Sequence, residues 1–516
     1  MTDCLIQAGA ILCGTSPEGQ AELRHDMAIR VAAGQIAEIA PLDRLAAANP
    51  DLPRHGGPGQ IAIPGLVNAH HHFGVTPLMQ GVPFAPLELW LPQFRAMRPI
   101  PPRLDTLYSA IEMLESGTTT VHHIHSGMAG GPEEWMTTSD AVLGAYGEIG
   151  MRAGYSFMMR DRNVMGYGPD AALLDRLDPA LRGWLSTQLA ASRVPTADYM
   201  TFFRDLRARW QARAPEKVRL NLAPANLHWC SDDSLQMIFE TARAAGAQLH
   251  MHLVETERQA AYARRHYGCS AVEHLHRLGC LGPDLTLGHG NWTSAADLDL
   301  LAECGCSVCH NASSGLRLGS GIAPVNAMVE RGIPVALGID QSNLLDDRDM
   351  SVEMKLVWAL HRETGLFNRR IEAAEVLQAA TEHGARTAGF GGQVGRLQPG
   401  YRADVVLIDR AALERPLVDP ATPLVDTVLH RLVRGAIDKV FVDGEMVVDG
   451  GRVTRIDRAA VLDELRDRLA MPPSPQEQRN RDMVAALMPH LEADLRAGGL
   501  GDSYRPYRYS RIAEPG

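Results

Sequence analysis

Aromatic side chains are scarce in this sequence: Phe, Tyr and Trp together make up 5% of its 516 residues. Single-stranded nucleic acid is bound largely by stacking on such rings. An excess of positive charge is missing too. The 50 Lys and Arg stand against 61 Asp and Glu, a formal net charge of -11, which repels a phosphate backbone. Nucleic acid is thereby excluded as a partner. Cysteine is also sparse, with eight residues at positions 4, 13, 230, 269, 280, 304, 306 and 309. Most lie in apolar surroundings and read as reduced thiols, not as a disulfide framework. No apolar run approaches the ~18 residues of a membrane span. The opening MTDCLIQAGAILCG lacks the basic and long apolar regions of a signal peptide. The expectation is a cytoplasmic protein with no membrane partner.

What is present is ordinary for a globular chain: 45% hydrophobic and 22% charged residues. The length suits one large barrel plus a smaller unit. Residues 1–60 read as short β runs, Cys4–Leu12, Met27–Val31 and Gln35–Ala40, with Ala33-Gly34 as a hairpin turn. Residues 395–457 have the same texture, with Asp443-Gly444 as a second hairpin signal. The two ends are expected to pair as one small β-sandwich domain. Between them, over 61–394, short apolar runs alternate with helical stretches. Examples of the runs are Arg152–Phe157, Gln248–His252 and Leu285–Gly288. Repeated strand–helix units predict an α/β fold, a (β/α)8 TIM barrel. Residues 458–516 form a charged extension, helical to about Ala497 and then rich in Tyr, Arg and Pro.

Polar residues recur where the barrel strands should end, which is where barrel enzymes keep their active sites. In Ile63–His72 (IPGLVNAHHH), alternation along a strand points His70 and His72 to one side and His71 to the other. Two imidazoles on one face make half of a transition-metal site. His252 closes the run QLHMH, and Glu255 follows at the strand exit, where a carboxylate beside a metal is the expected proton shuttle. His289 sits between glycines in LGHG, and Asp340 ends the run IPVALGID. A buried carboxylate wants a metal or another cation. Taken singly, each cluster has a plainer account: a His run in a loop, ordinary strand histidines, or an N-cap. The four in order on successive strand ends are not explained that way.

The same segments resemble the amidohydrolase superfamily, in its cytosine deaminase, adenosylhomocysteine deaminase and triazine hydrolase branch. The similarity runs through PGLVNAHHH, EMLESGTTTV (112–121), HMHLVET (250–256), GHG (288–290), residues 320–340 and VGRLQPGYRADVVLID (394–409). It implies His70, His72, His252 and Asp340 as ligands of one divalent metal per chain. Zinc is the first choice, with iron(II) or manganese also suited. It further implies Glu255 as the acid/base, and His289 as the group that polarises the attacked carbon or holds the water. Asp340 can also accept the water's proton. Binuclear relatives carry a carboxylated lysine on the fourth strand. Here Lys217 precedes that strand, which favours one metal.

Three positions depart from the nucleoside-type pattern: Gln80 replaces an arginine, Ala225 a histidine and Gly315 an asparagine. The residues expected to face substrate are Gln80, His125, Arg160, Asn226 and His228. Arg160 is the candidate to grip an acidic substituent, unless it forms a salt bridge with a neighbouring acid. The activity implied is hydrolysis at a C–N bond of a small nitrogen heterocycle with loss of ammonia. The same site could release an alkylamine, chloride or hydrosulfide, or open a cyclic amide. The H-x-E and P-C-x-x-C signature of the other zinc deaminases is missing. A non-enzymatic scaffold would be expected to have lost part of the ligand set. Cys304-x-Cys306-x-x-Cys309 falls on the expected seventh strand, whose alternation splits the thiols between faces. Barrel enzymes of this kind are expected to form homo-oligomers.

Overall fold

A computed structural model of the chain describes residues 3–16, 19–127 and 130–498. Eight short strands form its centre. They are β1 (Leu66–His71), β2 (Thr118–His125), β3 (Arg152–Met159), β4 (Val218–Leu220), β5 (Leu249–Leu253), β6 (Leu285–His289), β7 (Ser307–His310) and β8 (Val335–Leu337). Neighbours pair in parallel from β1 to β4 and from β5 to β8. Single bridges, Leu222 to Leu249 and His71 to Asp340, join the two halves. The ring is thereby closed, as a TIM barrel. Strands covered on both sides read as unbroken apolar runs, and β3 is buried along its whole length. The helices between strands are one-sided. Asp232–Ala245 starts on the Ser231 side chain, buries Leu235, Ile238, Phe239 and Ala242, and stops at Gly246 with φ 60°.

A second sheet has eight strands drawn from both ends of the chain. Cys4–Thr15, Ala21–Ala32, Gln35–Pro41 and Arg54–Pro64 come from one end. Val405–Asp409, Ile437–Val442, Glu445–Asp449 and Arg452–Val453 come from the other. The two sets meet where Arg54–Pro64 pairs antiparallel with Val405–Asp409. Ala33-Gly34 and Asp443-Gly444 turn their hairpins with positive φ at both residues, as tight two-residue turns require. Arg54–Pro64 runs past residue 60, so this sheet reaches four residues further than its sequence texture indicates. Its HGGPG stretch carries the marks of a turn and conceals the strand.

Arg152, fully buried at the start of β3, ties barrel to sheet. Its guanidinium lies 3.0 Å from Asp404 and 2.6 Å from Asp443. Lys217, just before β4, lies 3.9 Å from Asp443 and 3.8 Å from Glu445. It therefore sits at the sheet end of the barrel, away from the strand C-termini. At the opposite end, helix Pro475–Ala497 packs Val484, Leu487 and Leu491 against Leu173, Leu177 and Trp184 of the segment between β3 and β4. The Tyr/Arg/Pro-rich end expected beyond it lies outside the described residues. Among those residues, no helix is long and apolar enough to cross a membrane.

Candidate metal centre and active site

The C-terminal ends of the barrel strands open into a cavity of about 940 Å³ whose lining includes His72, His252, Glu255, His289 and Asp340. Strand alternation does at β1 what it should. His71 turns away to pack on His123, with ring centroids 5.3 Å apart, while His70 and His72 converge, Nε2 to Nε2, at 3.0 Å. His252 brings its Nε2 to 3.2 Å from that of His72. The donor nitrogens of the three lie within 4.8 Å of one another. His72 uses Nδ1 to donate to the Ile124 carbonyl, 2.7 Å away, which turns Nε2 toward the other donors. Burial lowers the pKa of His70 and His252 well below the ordinary value, so these two rings are neutral. Clustered lone pairs repel unless a cation lies among them.

Asp340 completes the set. Its Oδ1 lies 3.1 Å from Nε2 of His72 and 3.6 Å from that of His70, yet it is buried with no hydrogen-bond donor. Its Oδ2 accepts from Ser314 Oγ at 2.5 Å. An orphaned carboxylate oxygen facing three imidazoles is a donor set that fits one divalent transition metal.

The barrel interior leaves His70 little room to move. Its Nδ1 is 2.8 Å from His250 Nε2. A Cβ at Gly288 would come within 3.1 Å of the His70 ring, and one at Gly338 within 2.4 Å of its side chain. The backbone is strained around the site. Val254, His289 and Asp340 all hold positive φ, at 44°, 73° and 65°, a cost that recurs at functional centres. Beside the donors, Glu255 Oε2 lies 3.8 Å from His289 Nε2. Burial raises the pKa of Glu255 well above the ordinary carboxylate value, reinforced by Asp340 and Glu88. Burial brings His289 down to about 4. Asn311 Nδ2 is 3.4 Å from both nitrogens of the His289 ring.

The expected substrate-facing residues divide. Gln80, His125, Arg160 and His228 line the cavity. Gln80 is partly committed, since its Oε1 accepts from the Arg98 backbone at 2.7 Å. Asn226 is a correction: it is absent from the cavity wall. Its amide donates to Gln259 Oε1 at 3.0 Å, and its oxygen lies 2.7 Å from Leu227 N and 3.1 Å from His228 Nδ1. These contacts hold the strand exit and aim His228. The alternative weighed for Arg160, a salt bridge with a neighbouring acid, is absent among the described residues. Asp161 instead accepts from Ser231 N at 2.8 Å and Ser234 Oγ at 2.6 Å, while Arg160 stacks on Trp229 with Cζ 3.8 Å from the ring centroid. Sequence reasoning missed three contributors: His250 behind His70, Ser314 behind Asp340, and Trp229 beneath Arg160. Only His250 left a signal, the alternation in HMH.

Comparison with known proteins agrees with this geometry. The Amidohydrolase family model matches residues 61–447. A protein of Syntrophomonas wolfei named 5-methylthioadenosine/S-adenosylhomocysteine deaminase is 28% identical, over 80% of this chain and 86% of its own. A protein of the same name from Syntrophobacter fumaroxidans is 30% identical, over 90% and 97%. The solved structure of an adenosine deaminase from Xanthomonas campestris with bound zinc superposes with a TM-score of 0.72. It is 25% identical and covers 94% of this chain and 99% of its own. The matched span holds every residue of the His/Asp cluster together with Glu255 and His289, and the chain belongs to the Amidohydrolase family.

Proposed function

We propose that this chain is a mononuclear metal-dependent aminohydrolase acting on an amino-bearing ring carbon of a small nitrogen heterocycle. One observation carries the reading. Three imidazoles and a carboxylate oxygen without a donor converge beside the cavity, with the Glu255–His289 pair next to them. His70, His72, His252 and Asp340 would hold one divalent ion, zinc first, with iron(II) or manganese accepted by the same donors. Bound there, the ion supplies Lewis acidity, lowering the pKa of water to about 7 and polarising the attacked carbon.

The remaining steps belong to the protein. Glu255 Oε2, kept protonated by burial, donates to the ring nitrogen as water adds to the neighbouring carbon. It then takes one proton from the added water and passes it to the departing amine, and takes the second as the carbonyl forms, which restores its protonated state. One water enters, one C–N bond breaks and one ammonia leaves. His289 orients the oxygen through its ring N–H. The same residues would serve an alkylamine, chloride or hydrosulfide leaving group, or the opening of a cyclic amide.

An ordinary adenosine-type nucleoside is not the proposed substrate. Gly315 offers no side chain, and a Cβ there would lie 2.2 Å from the Gly321 carbonyl. Ala225 is fully buried. A buried polar group left unpaired costs about 1–3 kcal/mol. We further propose that the two-ended sheet folds as a small sandwich around Ile6, Ile29, Leu407 and Phe441. In this division the hydrolase domain is 61–394 and the extension 458–516, and the protein works as a cytoplasmic homo-oligomer. The test of function is a panel of aminopyrimidines, aminopterins, guanine analogues, triazines and thio-analogues with the zinc-loaded protein, assaying ammonia, sulfide and chloride. Ammonia release is expected. Sulfide or chloride without ammonia would overturn the aminohydrolase reading.

A further inference from the structure

A second cavity, of about 420 Å³, opens at the N-terminal mouth of the barrel. It lies at the opposite end of the strands from the metal donors. Helix Thr196–Arg213 brings Arg207 and Gln211 to its wall, β4 brings Arg219, and Asn221 follows that strand. Gln248, the residue before β5, and Gln393 complete the polar lining. Among the described residues, none that lines this cavity is acidic or aromatic.

The two arginines are held differently. Arg219 is fixed in place. Its guanidinium donates to the carbonyls of Pro215 and Val218 and, at 2.9 Å, to Gln393 Oε1. Its Cζ lies 4.9 Å from the ring centroid of Phe390. Arg207 has no such support. Among the described residues its guanidinium has no hydrogen-bond or ion-pair partner, although Nη1 is buried. The side chains of Gln211 and Gln248 are likewise without a hydrogen-bond partner among those residues. Glu216, the acid whose charge Arg219 feels, is absent from the wall and lies 3.7 Å from Arg402. A buried cationic donor left unpaired is costly, and an anion that reaches both guanidinium groups removes the cost.

The geometry narrows the anion. Arg207 stands on a helix and Arg219 on a strand, so their donors enter from separate walls. A planar carboxylate is matched by a single guanidinium fork. A tetrahedral dianion accepts from several directions and balances two cations. The side-chain amides of Gln211 and Gln248 can donate to phosphoryl oxygens or bind hydroxyls, and the lining offers no ring on which a base could stack. We propose that this cavity is a second ligand site, for a doubly charged phosphate group, either free or carried as an ester on a small hydrophilic molecule. Bound there, the phosphate braces the seam between the two halves of the barrel. At that seam β4 and β5 are joined by the single bridge Leu222 to Leu249, and Asn221 Oδ1 lies 3.4 Å from Gln248 N. The braced strand, β5, ends beside the metal with His252. The site is independent of the reaction proposed for the other end of the barrel.

The test is calorimetric titration of the zinc-loaded full chain at pH 8, where the phosphate is doubly charged. The probes are inorganic phosphate and ribose 5-phosphate, each against chloride at equal ionic strength. At least one should bind with a dissociation constant below about 1 mM and raise the melting temperature. Arg207→Gln breaks no hydrogen bond among the described residues, so zinc content and the melting temperature without phosphate should be retained. That variant should weaken the binding by about 10-fold or more. Ribose 5-phosphate binding tighter than inorganic phosphate would identify an ester as the ligand, and the reverse the free ion. No binding of either probe to the wild type, or binding weakened by less than that factor in Arg207→Gln, would overturn the proposal.

Discussion

His72 donates from Nδ1 to the carbonyl of Ile124 across 2.7 Å, and this one contact settles which nitrogen of His72 faces the site. The same logic applies to His70, whose Nδ1 rests 2.8 Å from His250 Nε2. Partners of this kind set tautomer and ring direction, and losing them weakens metal affinity by about 10–100-fold. His250→Phe should therefore raise the zinc dissociation constant, measured by chelator competition, by about that factor. An unchanged constant would remove His250 from the support of the site.

Glu255→Gln should keep its metal and its melting temperature and lose about 10²–10⁴-fold in turnover. Glutamine preserves the shape of a side chain that is 3% exposed but cannot carry a proton. Turnover near the wild-type rate would take Glu255 out of the mechanism.

Arg152 joins the start of β3 to Asp404 and Asp443 with no exposure of its own. Removing one member of a buried charge cluster costs about 3–5 kcal/mol. Arg152→Ala should thus lower the stability of the whole chain in denaturant titration by about that amount. Deleting 395–457, which removes half of the sheet, should give insoluble protein. A soluble, active deletion variant would contradict the shared role of the two ends.

Glu353 supplies a pH prediction. Burial raises its carboxyl from 4.5 to about 7, while Ser313 donates to it through backbone and hydroxyl. A raised folded pKa means the native state holds a proton that the unfolded chain gives up between those values. Stability from this group is fully present below pH ~4.5 and is lost as pH rises through about 7. The loss should be on the order of 1–3 kcal/mol. Comparing denaturant midpoints at pH 5 and 8, Glu353→Gln should show a smaller drop than the wild type; an equal drop would refute the assignment.

Much of this was legible in the sequence because strand alternation is local. The pairing of His70 with His72 and the exclusion of His71 follow from the period of two. The barrel follows from its repeated strand–helix units. The identities of His252 and Asp340 as donors rested on resemblance, since nothing local says which strands meet across a barrel. The strand Arg54–Pro64 was hidden because its glycines and proline imitate a turn. Of the residues expected to face substrate, Arg160 lines the cavity and Asn226 does not. An asparagine after a strand looks the same whether it faces a ligand or serves its own loop. The partner of Arg160 turned out to be a ring 69 positions later, Trp229, and not the acid next to it.

The central claim, one metal held by His70, His72, His252 and Asp340, is tested most directly by metal content. Protein purified in the presence of zinc and passed through a desalting column should retain about one divalent ion per chain by elemental analysis. His72→Ala should retain well under half of that while remaining folded by circular dichroism. Two tightly held ions per chain, or wild-type content in His72→Ala, would contradict the account.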